Sequence, residues 1–237
     1  MESISIAVAA YNEGEIVLHT VKEILKALDG MTLDAEILVI DDSSTDGTGA
    51  FCRQAETLSP IVKSYRNETN LGFGGVYQRG ASLASKEWYV IFPGDNAFDW
   101  HGIRRMFDAL GGADIIAPYT VNMDVRNAGR RILSKAFTWI MNQISGRKIH
   151  YYNGPVIHRT QSIRALKNVS FNFAFQAEIM CEFLSRGASV REVGVRLQEI
   201  PGRKSSALKF RNVVGVGHTL LRLMLRGFLK RQSRAGL

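Results

Sequence analysis

The chain has 237 residues, of which 46% are hydrophobic and 22% are charged. This composition is ordinary for a globular protein and argues against a disordered chain or a coiled coil. No run of about 20 apolar residues is present, and no basic segment precedes Glu13 and Glu15, so we expect neither a membrane span nor a signal peptide. Cys52 and Cys181 match no metal-binding spacing and predict buried thiols.

Apolar runs and helical periodicities alternate through the first half of the chain. They predict strands at residues 3–10, 36–40, 61–66, 88–92 and 113–118, separated by helices at 16–28, 48–58, 72–84 and 103–110. Later the pattern loosens, with helices predicted at 130–145 and 175–185 and an exposed strand at 189–199. The alternation indicates an α/β fold whose mostly parallel sheet carries helices on both faces.

Three polar clusters directly follow predicted strands: YNE at 11–13, DDSSTDG at 41–47 and PGDN at 93–96. Ligands of such sheets bind beyond the carboxyl ends of the strands. The pair Asp41 and Asp42 suits ribose hydroxyls and base N–H groups, although the same segment also suits capping of the next helix. PGDN is either a turn or a partial site for Mg²⁺ or Mn²⁺, completed by substrate phosphates.

The glycine-rich stretch NLGFGGVYQRG, residues 70–80, is not a dinucleotide fingerprint, because Tyr77 stands where the last glycine is needed. Its glycines predict close backbone approach at a helix start, which suits a pyrophosphate. The sequence contains no P-loop motif, which excludes a P-loop nucleotidase, and no G-x-S-x-G elbow to support serine-nucleophile chemistry.

Two later segments combine polar groups with a defined local pattern. Residues 173–183, FAFQAEIMCEF, have helical spacing, and the predicted core members are Phe175, Ile179 and Phe183. Gln176 and Glu178 are the informative polar members of this helix. The loop IPGRKSSALK, residues 200–209, is either a solvated basic loop or a phosphate-binding one, because Arg, Lys and hydroxyl groups are the usual donors to anions.

The formal net charge of +8 is concentrated at the C-terminal end. Residues after Glu199 include nine bases and no acid, so the preceding residues sum to −1. Within residues 210–228 the apolar side chains form one helical stripe. This segment is either a core-packed helix or an interfacial helix on an anionic membrane surface. Nucleic-acid binding is a weaker interpretation, because the segment lacks regular aromatic interleaving.

The order AYNE, VIDDSSTDGT, NLGFGG, PGD, FQAE and a late basic loop resembles the family 2 glycosyltransferases of the GT-A fold. Within that family it is most similar to the polyprenyl-phosphate (dolichyl-phosphate) mannosyl- and glucosyltransferases. The resemblance covers residues 3–210, and VIDDSSTDGT is its most specific element. It implies a Rossmann-like GT-A catalytic domain over residues 1–209, which leaves 210–237 as a basic amphipathic C-terminal helix.

The resemblance also implies roles for individual residues. The implied nucleotide-sugar-binding residues are Ala10, Tyr11, Glu13, Asp41, Asp42, Gly72, Arg79, Gly94 and Asp95. The implied metal ligand is Asp95, with Asn96 as a substitute ligand, for Mg²⁺ or Mn²⁺. The implied catalytic residues are Asp95, Gln176, Glu178 and Arg203. The acceptor phosphate is expected at Arg203, Lys204 and Ser206.

Three positions depart from the pattern of the family. Pro93 replaces the first acid of the metal-binding D-x-D motif, and Ala97 stands where many relatives have Gln. The Asp-x-Ser/Thr-Gly stretch of the polyprenyl branch here reads YYNG, with Asn153 and Gly154. A GT-A-fold scaffold without catalytic activity therefore stays open as an alternative.

We expect inverting transfer of a sugar from a nucleotide-diphosphate sugar to a polyprenyl phosphate. A phosphate with a second pKa of about 6 is largely ionised at neutral pH and needs no general base, whereas a hydroxyl acceptor on a glycan or glycoside needs one. Family members that use hydroxyls tend to carry an Asp base where this chain has FQAE; transfer to a hydroxyl remains the rival activity. We expect a peripheral protein at the cytoplasmic face of the membrane, with an integral-membrane partner left open and no nucleic acid bound.

Overall fold

The structure, a computed structural model, describes residues 1–125, 128–166 and 174–198. Within them seven strands form one sheet, in the spatial order β3-β2-β1-β4-β6-β5-β7. The strands are β1 (Ser3–Ala10), β2 (Asp34–Asp41), β3 (Val62–Arg66), β4 (Trp88–Pro93), β5 (Ile115–Thr120), β6 (Ile157–Arg159) and β7 (Val190–Val195). The α-helices are α1 (Ile16–Leu28), α2 (Thr48–Ala55), α3 (Gly72–Leu83), α4 (Trp100–Phe107), α5 (Ala128–Ser145), α6 (Thr160–Arg164) and α7 (Phe175–Ser185).

The sheet is mostly parallel, as predicted. Strands β3, β2, β1 and β4 pair in parallel. Strand β6 is antiparallel to both β4 and β5, so β5 and its parallel neighbour β7 point the same way as β1. Neither β6 nor α6 was predicted, because three and five residues are too short to show a periodicity.

Helices cover both faces of the sheet because alternate residues of each strand point to opposite sides. On β1, Ile4, Ile6 and Val8 pack in the core beneath α1, α2 and α4, whereas Ala7 belongs to the core beneath α3, α5 and α7. The two cysteines are buried, as predicted. Burial raises the pKa of the Cys52 and Cys181 thiols to about 12.

Several element bounds differ from the predictions for local reasons. Helix α4 begins three residues early, because the Asp99 side chain caps it by accepting the Gly102 N–H at 2.7 Å. The helix predicted at 48–58 ends at Ala55 and continues as a 3₁₀ turn, Glu56–Leu58. Among the described residues no helix is long and apolar enough to span a membrane. The basic loop and the stripe at 210–228 lie outside the described residues.

Candidate functional site

The three predicted polar clusters lie side by side at one edge of the sheet. Strand β1 has β2 on one side and β4 on the other, so the strand order reverses at β1. The register pairs Ala10 with Asp41 and Ala9 with Pro93. Adjacent strands lie about 4.8 Å apart, so the loops after β2 and β4 flank the loop after β1 at a separation of roughly 10 Å.

Each of these three loops contains a non-glycine residue in the left-handed region of backbone conformation. The residues are Asn12 (φ 55°), Ser43 (φ 63°) and Asn96 (φ 53°). Such residues are uncommon, cluster at functional sites and persist only when the surrounding structure holds them. The three loops after β1, β2 and β4 are therefore built to a defined shape.

Asp42 holds the loop that leads into α3. The residue is buried, with 3% of its surface exposed. Oδ1 accepts hydrogen bonds from Asn67 Nδ2 at 2.8 Å and from the Leu71 N–H at 2.9 Å, and Oδ2 accepts from the Gly72 N–H at 2.8 Å. The carboxylate of Asp42 therefore binds two of the backbone N–H groups at the start of α3. The role of this helix start toward a pyrophosphate stays a prediction.

Asp41 is also buried and is paired with a cation. Its Oδ2 lies 2.5 Å from Arg66 Nη1, and its Oδ1 accepts the Ser44 N–H at 2.9 Å. Arg66 Nη2 donates to the Ser44 carbonyl oxygen at 2.9 Å. Gly49 makes room for this pair, since a Cβ there would lie 2.6 Å from Arg66 Nη1 and 2.7 Å from Asp41 Oδ2. Asp41 thus shapes the loop after β2.

Hydrogen bonds join the loop after β1 to the loop after β2. The Asn12 N–H donates to Ser44 Oγ at 3.0 Å, and Asn12 Oδ1 accepts the Thr45 N–H at 2.9 Å. The Gly14 N–H donates to Thr48 Oγ1 at 2.7 Å. These bonds fix the two loops relative to each other, so the polar side chains between them keep one arrangement.

The loop after β4 carries Asp95 and is anchored on both sides. The Gly94 N–H donates to the Ala9 carbonyl oxygen at 2.7 Å, and a Cβ on Gly94 would lie 2.9 Å from that oxygen. The Asn96 N–H donates to Thr20 Oγ1 of α1 at 2.9 Å. Asn96 Oδ1 is buried and has no hydrogen-bond partner among the described residues. A buried acceptor without a donor is costly, so this oxygen is suited to a ligand or a cation.

The chain returns to this loop at the end of the described residues. Leu197 forms a bridge with Phe98. The Gln198 N–H donates to the Ala97 carbonyl oxygen at 2.9 Å, and Gln198 Nε2 donates to the Phe98 carbonyl oxygen at 3.1 Å. Gln198, the last described residue, therefore contacts Ala97, which follows Asp95 by two positions.

The remaining predicted residues occupy different environments. Tyr11 is 47% exposed beside Ala10 at the end of β1, and Arg79 is exposed two turns along α3. Glu13 is half-buried in the loop after β1. Gln176 and Glu178 are both buried on α7, and Gln176 Oε1 has no hydrogen-bond partner among the described residues. The residues Arg203, Lys204 and Ser206 lie outside the described residues.

The sequence analysis missed four residues that position the site. Arg66, the last residue of β3, holds Asp41, and Asn67, the next residue, holds Asp42. Thr20 and Gln198 hold the loop after β4. The polar pair at the end of the third predicted strand was a detectable signal, because it falls at the same edge as the acids. Thr20 and Gln198 give no comparable signal.

The fold and the edge define a class of protein: an α/β protein with a polar ligand site at the strand-order reversal of a mostly parallel sheet. Residues 5–173 match the profile of Glycosyl transferase family 2. The chain belongs to this family. The sequence resemblance to family 2 glycosyltransferases is thereby confirmed.

Two curated relatives illustrate the range of the family. The chain is 30% identical over 132 residues to the succinoglycan biosynthesis protein ExoO of Rhizobium meliloti, covering 55% of this chain and 36% of that protein. It is 26% identical over 178 residues to the polyprenol monophosphomannose synthase of Mycolicibacterium smegmatis, covering 69% of this chain and 66% of that protein. The chain thus spans less than two thirds of the length of either relative.

A solved structure shares the fold. Glucosyl-3-phosphoglycerate synthase from Mycobacterium tuberculosis, in complex with Mn²⁺ and UDP-glucose, superposes with a TM-score of 0.69 at 13% identity. The superposition covers 95% of this chain and 79% of that chain. This likeness identifies the fold as GT-A.

Proposed function

We propose that the protein transfers a sugar from a nucleotide-diphosphate sugar to a polyprenyl phosphate, with inversion at the anomeric carbon. The observation that carries the proposal is the attachment of Gln198 to the Asp95 loop. Arg203 follows Gln198 by five residues, so their Cα atoms are at most about 18 Å apart. A chain of this length is long enough for Arg203 to reach a diphosphate at the sheet edge.

The donor fits the edge between the loops after β2 and β4. Tyr11, exposed in the loop between them, offers a flat surface for the nucleotide base. Asp41 and Asp42 keep these loops in shape, and each carboxylate has acceptor capacity beyond its protein hydrogen bonds that a ribose hydroxyl can use. Gly94 lets the backbone of its loop approach β1 closely. The solved relative carries UDP-glucose, which supports a nucleotide-sugar donor.

A divalent cation fits the loop after β4 in part. The described residues contain no group of three or more His, Cys, Asp or Glu side chains that could hold a metal. Asp95 and the unpartnered Asn96 Oδ1 supply two oxygens in adjacent residues, and hard cations accept such ligands together with substrate phosphates. When bound, Mg²⁺ or Mn²⁺ would offset the negative charge of the departing diphosphate.

The acceptor is inferred from the chemistry of α7. A phosphate oxygen attacks the anomeric carbon with its own electron pair, the bond from that carbon to the diphosphate breaks, and the nucleoside diphosphate leaves. Because a phosphate acceptor is already ionised, no proton has to be removed. The amide of Gln176 cannot act as a base, but it can donate a hydrogen bond to the sugar or the acceptor. A curated relative named as a polyprenol monophosphomannose synthase supports this acceptor class.

The deciding experiment offers the protein radiolabelled nucleotide-diphosphate sugars with undecaprenyl or dolichyl phosphate, with and without Mn²⁺. We expect label to enter the organic phase. Replacement of Arg203 by Gln is expected to slow this transfer by about 100-fold, because it removes a donor to the transferring groups. The matched variant Arg186→Gln, at an exposed ion pair with Glu182, should stay within about twofold of the wild type.

Label that never reaches the lipid contradicts the proposal. Label passed only to sugar hydroxyls would assign the rival transferase activity. Donor binding without turnover of any acceptor would identify the protein as a scaffold without catalytic activity. The replacement of the first D-x-D acid by Pro93 is the reason for this alternative.

A further inference from the structure

Helix α5 carries an apolar face that nothing in the described structure covers. Of its 18 residues only Met141 is buried. Ile132 is 69% exposed, Leu133 47% and Trp139 64%. On a helix these three positions fall on one side, together with Ala136 and Ile140, within an arc of about 120°. Large apolar side chains grouped in this way mark an interaction surface.

The opposite side of α5 is packed, so the exposure is not a consequence of a loose helix. Met141 is fully buried and belongs to the same core as Phe175 and Ile179 of α7. Asn142 Oδ1 accepts the Ile149 N–H at 3.0 Å, and it also accepts the Tyr152 hydroxyl at 2.9 Å. Helix α5 therefore presents its apolar face outward from a fixed position.

Positive charge borders this face. Helix α5 contains three bases and no acid, and the sequence from 125 to 177 contains nine bases and no acid. Arg131 and Lys135 lie four residues apart on the flank of the apolar arc. Like charges at this spacing repel each other, so the pair is unfavourable until an anion lies against it.

We infer that the apolar face of α5 docks on an anionic lipid bilayer. Apolar side chains inserted at the headgroup level, with bases beside them, are the features of an interfacial helix. The stems of Arg and Lys cover apolar surface while their charges meet lipid phosphates. Trp is well suited to this level, because its ring is apolar and its N–H is polar.

Charge argues against the other occupants. The segment after Glu199 carries nine bases and no acid, so packing it on α5 would bring base against base. A second copy of this chain that used the same face would do the same. An anionic bilayer satisfies both the apolar arc and its basic flank.

The segment directly after β5, which precedes α5 in the chain, is attached to the Asp95 loop through Leu197. Asn122, just after β5, exchanges two hydrogen bonds with the backbone of Leu197, at 2.9 Å each. Leu197 in turn bridges to Phe98. These contacts attach the segment that precedes α5 to the edge of the sheet that holds the site. The inference deepens the proposed function by naming the surface that meets the lipid, and rests on it for the identity of the acceptor.

The test uses Trp139, the exposed member of three tryptophans, since Trp88 is buried and Trp100 half-buried. The full-length protein is mixed with vesicles of phosphatidylglycerol and brominated phosphatidylcholine, without donor or acceptor. We expect bromine to quench Trp139 emission and expect the Trp139→Phe variant to lose this quenching. Vesicle binding that leaves Trp139 unquenched would assign docking to another segment and overturn the inference.

Paired variants separate the apolar and charged contributions. Ile132→Gln with Leu133→Gln should weaken vesicle binding by about tenfold or more. Gln is a good helix former, so the helix is kept while apolar area is lost at both positions. Arg131→Gln with Lys135→Gln should weaken binding to anionic vesicles by about tenfold and leave binding to neutral vesicles unchanged. The matched control of exposed bases elsewhere, Lys22→Gln with Lys63→Gln, should change binding less than about twofold.

Two results would reassign the face of α5. A dimer in sedimentation velocity that the apolar double variant abolishes would give it to a second copy and overturn the inference. Trp139 emission that is already blue-shifted without vesicles, and shifts to the red when residues 210–237 are deleted, would give it to the C-terminal segment and overturn it as well. Quenching of Trp139 in a protein that glycosylates only hydroxyls would uphold the docking and refute the proposed acceptor alone.

Discussion

Replacing Asp42 by Asn separates two roles of the same carboxylate, nucleotide binding and support of the loop that leads into α3. The resemblance implies that Asp42 binds the nucleotide, whereas the structure has its oxygens accept three hydrogen bonds from Asn67, Leu71 and Gly72. In the variant one side-chain oxygen remains, and an NH₂ group replaces the other. If the oxygen stays toward Asn67 and Leu71, the amide N–H₂ faces the Gly72 N–H, and two donors meet in a buried site.

The expected cost follows from this geometry. One hydrogen bond to a charged group is lost and one half-buried donor loses its best acceptor, which together cost about 2 kcal/mol of the free energy of unfolding. The Gly72 N–H keeps a longer bond to Asn70 Oδ1 at 3.1 Å, so we expect no larger loss. For a chain of this length the melting temperature should fall by roughly 4–8 °C.

The assay is thermal unfolding followed by circular dichroism, with UDP binding measured by calorimetry. The control variant is Asp46→Asn, because Asp46 is exposed and its Oδ1 accepts the Thr48 N–H at 2.8 Å within the same turn. Asn caps a turn nearly as well as Asp, so this change should move the melting temperature by less than about 2 °C. An Asp42→Asn protein that melts like the wild type but no longer binds UDP would refute the reasoning, because direct contact would then be the main role of the carboxylate.

Three further predictions concern acid stability, the Gly94 turn and the cation. Burial lowers the pKa of His158 to about 3, so between pH 7 and 5 the unfolded chain takes up a proton that the folded chain does not. The contribution of neutral His158 to the free energy of unfolding is fully present above about pH 6.5 and falls by about 2 kcal/mol by pH 5. In denaturant titrations, the free energy of unfolding of His158→Gln should therefore depend much less on pH over this range. Gly94→Ala places a Cβ 2.9 Å from a backbone oxygen and should weaken UDP binding about tenfold by calorimetry, whereas Gly47→Ala, with its nearest atom at 3.6 Å, should stay within about twofold. Asn96→Gly keeps the left-handed turn but removes Oδ1, so the Mn²⁺ concentration for half-maximal UDP binding should rise about tenfold; an unchanged value contradicts a ligand role.

The fold was predictable because its signals are long and regular. Strands β1, β2 and β4 are nearly continuous apolar runs, and the helices between them keep a clear period, so their order and the parallel sheet follow from the sequence. Strand β6 was missed because it has three residues, and its antiparallel direction depends on the path of the chain after α5. The location of the site at the carboxyl ends of the strands was predictable, since polar residues follow each of the central strands.

The structural role of each individual site residue was not predictable. A sequence shows that Asp41 and Asp42 are acids at a strand end, but it does not show that both are buried and bonded to Arg66, Asn67 and the start of α3. Those partners lie 25 to 30 residues away in the chain and meet the acids only after β3 has paired with β2. The return of Gln198 to the Asp95 loop has the same character, because it depends on the sheet order.

The charge distribution links the proposed donor and acceptor sides of the molecule. Residues 1–124 hold 18 acids and nine bases, whereas residues 125–177 hold nine bases and no acid. An anionic surface therefore attracts the segment that contains α5 more strongly than it attracts residues 1–124, and this difference orients the protein as well as attracting it. The carboxylates of Asp41, Asp42 and Asp95 also repel a negatively charged nucleotide sugar unless positive charge accompanies it. A divalent cation at Asp95 and the bases that follow Gln198 are the two sources of that charge in the proposal, so removing both should cost donor binding more than the sum of removing each, because each alone still offsets part of the diphosphate charge.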